Sequence, residues 1–189
     1  MKNIYILLIR SNTSVSRAIN LMTGAQYTHA SIAYDEELKS LCSFARRNTY
    51  TYLPAGLIHE DLRKGSFARY PTMPCALLRL PVPDIAYERI RNKLERMLSE
   101  KESYRYFIRG LISCRLGIES HKDKHYFCSH FVSHILETEG DIPLPKPPSL
   151  MHPQDLLTLP GTTALYTGDI LGLIHWLKLN ALKNGATVQ

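Results

Sequence analysis

Six consecutive apolar residues near the start, IYILLI at positions 4–9, constrain the chain most. The run falls far short of the roughly 20 apolar residues that span a bilayer. Polar SNTS follows it instead of a small-residue cleavage site, so it reads as a first β-strand and not as a targeting segment. The expectation is a soluble, cytoplasmic protein. Four cysteines, Cys42, Cys75, Cys114 and Cys128, have no regular spacing and in that setting read as reduced thiols, not a disulfide framework.

With 189 residues, 44% of them hydrophobic, the chain fits one domain over 1–189. A net charge of +6 and a pI near 9.2 permit attraction to anionic partners. The basic residues, however, are scattered through RYFIRGLISCR and ERIRNKLERM, where they read as solvated faces of amphipathic helices. No basic stripe interleaved with aromatics is present, so nucleic acid is not an expected partner.

After the first strand, Thr13 or Ser14 can cap a short helix that Gly24 ends. YTHASIAYD alternates and is rich in β-formers, and Asp35, Glu36 and Glu37 turn it into LKSLCSF, which predicts a hairpin. TYLPAGLIHEDLRKGS reads as loop with one helical turn, and CALLRLPV as a strand closed by Pro81 and Pro83. Three helices follow: one capped by Asp84 with Ile85, Ile90, Leu94, Met97 and Leu98 inward; one with a Tyr104, Phe107, Ile108, Leu111 and Ile112 stripe ending at Gly117; and one carrying Cys128 and ending at Gly140. TALYTGD predicts a last strand and ILGLIHWLKLNALK a terminal helix. The order β-α-β-β-β-α-α-α-β-α predicts an α+β fold, an antiparallel sheet against helices.

HYFCSHFVSHIL puts Cys128 at the head of an amphipathic helix. Unpaired N–H groups and the positive end of the helix dipole would there favour thiolate, and such thiols drop from about 8.5 to roughly 3.5–7.5. On a helical wheel Phe131, Val132 and Ile135 fall within about 60° of Cys128, whereas His130, Ser133, His134 and Glu137 fall on the far side and read as solvated. Neither helical histidine can then serve the sulfur as base. His29, at the start of an alternating strand beside small Ala30, is the better candidate. Two alternatives stand beside this dyad on patterning alone. Cys128 can be a buried structural thiol, or His121, His125 and Cys128, or His130 and His134 with Glu137, can ligate zinc, although that spacing is unspecific and no HExxH is present.

YTHASIAYD after a strand and short helix, YFCSHFVSHIL well downstream, and PPSLMHPQDL after that together resemble the circularly permuted branch of the NlpC-type cysteine peptidases. These are the YiiX-like, permuted papain-like amidases, related to lecithin retinol acyltransferase-like proteins. The resemblance implies a papain-like sheet with the nucleophile at a helix N-terminus, Cys128 as nucleophile and His29 as base. It also implies a polar residue on the strand paired to the histidine strand, for which Ser43 is the nearest match. A serine can orient His29 but cannot stabilise imidazolium as a carboxylate does.

The chemistry so implied is acyl transfer through a thioester, with no metal or cofactor. The substrate is a peptide amide, from cell-wall-derived or γ-glutamyl peptides, or an acyl small molecule. The alternatives are a lipid-directed acyltransferase or esterase at a membrane surface, and a noncatalytic binding module. In the terminal helix Ile170, Leu173, Ile174, Trp176 and Leu177 form an apolar face that reads first as core. Lys178 and Lys183 leave a transient membrane contact as the second reading. Oligomeric state is left open.

Overall fold

A computed structural model describes residues 1–10, 26–47 and 55–186. The helix expected after Thr13 lies outside the described residues. The described residues contain eight strands: β1 (Lys2–Ile9), β2 (His29–Ala33), β3 (Cys42–Arg46), β4 (Ala55–His59), β5 (Pro74–Val82), β6 (Arg105–Tyr106), β7 (His125–Tyr126) and β8 (Thr163–Asp169). The helices are α1 (Gly65–Arg69), α2 (Asp84–Ser99), α3 (Ile108–Arg115), α4 (Cys128–Thr138) and α5 (Ile170–Ala186). Six strands form one antiparallel sheet in the order β4-β3-β2-β1-β5-β8, and β6 and β7 form a small parallel pair.

The apolar run of β1 explains the layering. Alternate side chains of a strand point to opposite faces. Ile4, Ile6 and Leu8 accordingly enter a core with Ile90, Leu94, Phe131 and Ile135 of α2 and α4, while Tyr5, Leu7 and Ile9 enter a second core with Phe67 of α1 and Ile170 and Leu173 of α5. A strand apolar at every position therefore sits inside the sheet, with all six of these side chains at 6% exposure or less. Each contributes about 1.5–3 kcal/mol by burial.

The β2–β3 hairpin forms as expected, and both Asp35 carboxylate oxygens accept from its turn, Oδ1 from the Lys39 N–H at 2.8 Å and Oδ2 from the Ser40 N–H at 2.6 Å. Three expectations need correction. The segment 55–59, read as loop, is strand β4, paired to β3 with Phe44 opposite Leu57. Its Gly56 supplied the misleading turn signal, but the residue is there for room, since a Cβ would lie 2.7 Å from the Tyr104 carbonyl oxygen. Ile85 is 74% exposed and stands outside the α2 core. In α3 the stripe is reversed: Ile108 and Ile112 face solvent, and the buried positions are Gly110 and Cys114, because Tyr104 and Phe107 reach the interior before the helix begins.

The terminal helix packs as the core reading expects, with Ile170 and Leu173 fully buried and Ile174, Trp176 and Leu177 partly so. Among the described residues no helix is long and apolar enough to cross a membrane.

Candidate active site

The sheet and α4 meet at His29 and Cys128. β2 delivers His29 from its first residue, opposite Ile9 of β1, so the imidazole is anchored to the centre of the sheet. α4 lies across β2 and β3 with Phe131, Val132 and Ile135 in the core, as the wheel required. This orientation places Cys128, 6% exposed, against the start of β2. Phe127 at the N-cap offers no capping side chain, which leaves first-turn amides free. His29 and the backbone N–H groups of Ala30 and Ser129 are the neighbours that favour charge on the Cys128 sulfur.

The third participant is Glu60. It follows β4 directly, its N–H donates to the Leu41 carbonyl at 2.7 Å, and its side chain is 8% exposed. Glu60 Oε1 lies 3.2 Å from His29 Nε2. Its other oxygen accepts from the Ser31 hydroxyl, which itself stands 3.3 Å from His29 Nε2. His29 and Ser31 are two residues apart on β2 and share a face, so one strand positions both.

The charges in this cluster set one another. Burial disfavours a charged His29, but the Glu60 carboxylate outweighs it and, with Cys128, lifts the imidazole to about 10. Burial likewise works against ionised Cys128, and the hydrogen bond and charge of His29, aided by the Ala30 and Ser129 amides, overcome it and bring the thiol below its ordinary value. Glu60 is held below the usual carboxylate range against its own burial by the same imidazolium and by Ser31. Cys128, His29 and Glu60 thus form a buried row in which each charge favours the ionised form of its neighbour.

Of the three residues expected from sequence, Cys128 and His29 are brought together. Ser43 is fully buried on β3 beside Glu60, whose carboxylate it helps to hold low, and the side chain that reaches His29 is Glu60. The expected solvation of His130 also needs correction. It is 3% exposed, packed against Tyr126 and Phe127 at ring separations of 4.9 and 5.3 Å, and burial together with His134 and His121 pushes it down to about 4. Ser133 is fully buried as well, because neighbouring elements enclose α4 on its second side too. His125 turns aside, its Nδ1 2.7 Å from the Asp123 carbonyl. Among the described residues no group of three His, Cys, Asp or Glu side chains could hold a metal ion.

A cleft of about 50 Å³ opens at Cys128, with Tyr106, Leu111, Arg115, His152 and Gln154 in its walls. Burial and the neighbouring Cys128 push the Tyr106 hydroxyl far up, so it stays a neutral donor. A larger groove of about 690 Å³, between Tyr34–Ser40 and Leu177, contains none of Cys128, His29 and Glu60 and lies apart from this chemistry.

No family model matches the chain, and no curated protein matches it. A similar solved structure is that of the metalloprotein YiiX from Escherichia coli O157:H7. It aligns over 88% of this chain and 97% of YiiX, with a TM-score of 0.54 and 12% sequence identity. The likeness carries the fold alone: this chain has a YiiX-like fold, α+β with an antiparallel sheet packed against helices.

Proposed function

We propose that the chain is a cysteine-dependent acyl-transfer enzyme, an amidase or peptidase of the permuted, papain-like NlpC type, in which Cys128 is nucleophile, His29 acid and base, and Glu60 the group that orients and charges His29. The observation that carries this reading is the buried row Cys128–His29–Glu60, with the sulfur at a helix N-terminus and its thiol pKa lowered. A structural thiol gains nothing from such neighbours. The four cysteines are all free, which fits a reducing cytoplasmic setting.

In the forward step the Cys128 thiolate adds to a substrate carbonyl, forming a C–S bond as the carbonyl π pair moves onto oxygen. The Cys128 N–H and the Tyr106 hydroxyl are the donors available to that oxyanion. Collapse expels the amine, which takes its proton from His29, and leaves a thioester. Water then attacks with His29 as base, the acid departs, and the thiolate–imidazolium pair is restored. The similar YiiX is described as a metalloprotein. Here His29, Glu60 and Cys128 are committed to one another, and no step is routed through a metal.

A cleft of about 50 Å³ is narrow and admits the scissile carbonyl with the short groups next to it. Peptide amides, including cell-wall-derived and γ-glutamyl ones, fit as substrates that present only the scissile bond. One observation favours a second reading, an acyltransferase or esterase at a membrane surface: α3 and Leu116 at its C-cap expose Ile108, Ile112 and Leu116 one turn apart, beside the cleft-lining Leu111 and Arg115.

A panel of peptide amides, muropeptides and acyl lipids incubated with the protein and read by mass spectrometry tests the proposal. Product together with an acyl adduct on Cys128, absent in Cys128→Ala, is expected. Turnover that survives Cys128→Ala would overturn it, and acyl lipids as the sole productive class would select the second reading.

A further inference from the structure

Around the cleft at Cys128, Arg115 is the cation without a counter-charge. Among the described residues no acidic side chain lines the cleft, and Arg115 forms neither an ion pair nor a hydrogen bond; its Nε is buried without a partner. The contrast with Lys146 nearby is direct, since that ammonium is paired with Asp155 at 2.7 Å. Arg115 sits in the last turn of α3, where a cation can simply serve the helix C-terminus. An arginine doing only that would turn its donors to the last carbonyls or to water, and here Nε is buried with no carbonyl on it. Burial with an unpaired donor is costly unless a ligand completes it.

Gln154, also in the cleft wall, has the complementary feature, a buried side-chain oxygen without a partner. His152 lines the same cleft, and burial, Lys146 and Arg115 hold it below its ordinary value. The cleft that holds the sulfur thus also presents a guanidinium donor and an amide acceptor. A planar guanidinium matches a carboxylate or phosphate in two-point contact.

We propose that Arg115 is the specificity-determining residue of this site, receiving an oxyanion of the substrate, a carboxylate or a phosphate, next to the scissile carbonyl, while Gln154 accepts an N–H from the same substrate. The proposal rests on Cys128 being the reacting thiol, and it narrows the substrate class to acyl compounds that carry a negative charge within a few bonds of the reacting carbon.

Paired alkylation tests it without a known substrate. Iodoacetate and iodoacetamide differ in charge, and the ratio of their rates at Cys128, divided by the ratio for a free small thiol, reads the field at the cleft. His29 contributes to that ratio in every variant, so the comparison is between variants. Arg115→Gln is expected to lower the ratio about fivefold at low salt and Arg115→Lys to keep most of it, with the difference shrinking as salt is raised. A ratio unchanged in Arg115→Gln, with Cys128 still reactive, overturns the assignment of Arg115 and leaves the enzyme reading standing. A Cys128 inert to both reagents sinks the enzyme reading instead. Anion binding is then read separately, as the rise in melting temperature of Cys128→Ala on adding malonate or inorganic phosphate. The rise is expected to vanish in the Cys128→Ala, Arg115→Gln double variant, and an equal rise there overturns the proposal. The stronger of the two anions tells carboxylate substrates from phosphate ones.

Discussion

Cys42 on β3 and Cys128 at the head of α4 are both buried, and Glu60 governs both with opposite effect. At Cys42 the carboxylate acts directly: burial first and the Glu60 charge second push the thiol far up, and its S–H is spent on the Ile32 carbonyl at 3.7 Å. At Cys128 the same carboxylate acts through His29, which it keeps protonated, and the imidazolium with two amides draws the thiol down. Burial alone makes a cysteine inert. What separates the two thiols is one imidazole placed between the sulfur and the acid.

The largest effect should appear where the comparison is starkest. Iodoacetamide at neutral pH is expected to label Cys128 at least about a thousandfold faster than Cys42, since each unit of thiol pKa is worth up to tenfold in thiolate and Cys42 is sealed besides. Peptide mapping at partial modification checks this, and equal labelling of the two would break the comparison. Cys75, pushed up to about 12 by burial and Asp169, should behave like Cys42.

Removing the intermediary comes next. His29→Gln is expected to slow labelling of Cys128 roughly ten- to a hundredfold and to return its thiol to or above the free value, while Cys42 stays unchanged. Glu60→Gln should act more mildly on the thiol but clearly on the histidine. Loss of an opposite charge at this distance is worth about 1–3 pKa units, so the His29 titration, near 10 in the native protein, should fall by that amount in a proton-detected NMR titration. The sign for stability follows. His29 has a raised value, so its contribution is full below about 6.5 and is lost as pH rises through about 10; in Glu60→Gln the loss should begin at lower pH.

The smallest effect is expected at Ser43. Its hydroxyl lies beside Glu60 and does not reach His29, so Ser43→Ala should change stability by about 1 kcal/mol or less and leave the thiol titration nearly in place. A large loss of reactivity in that variant would restore serine as the orienting group and demote Glu60.

How far the site could be read from sequence follows the same lines. The dyad was legible because each half carries a local pattern: alternation puts His29 on a face of a buried strand, and helical spacing puts Cys128 over Phe131, Val132 and Ile135. Glu60 was not, since it depends on β4, and Pro54 and Gly56 make that strand look like a turn when the glycine serves a close approach to Tyr104. The usable signal was Ser31, a second polar residue on the His29 face of an otherwise apolar strand, which asks for a buried partner. The exposed stripe of α3 and the burial of His130 were hidden for one reason: periodicity shows which residues share a side but not what covers it. Arg115 and Gln154 carry no sequence signal at all, because their unpaired state exists only in the folded cleft.

The central claim is that His29, charged by Glu60, makes Cys128 a thiolate at neutral pH. The most direct measurement is the thiolate absorbance near 240 nm as a function of pH, in a protein whose other cysteines are replaced and in its His29→Gln counterpart. The account predicts a Cys128 midpoint below the free thiol value of about 8.5 that moves to or above it when His29 is changed. A midpoint at or above that value in the protein with His29 intact would contradict it.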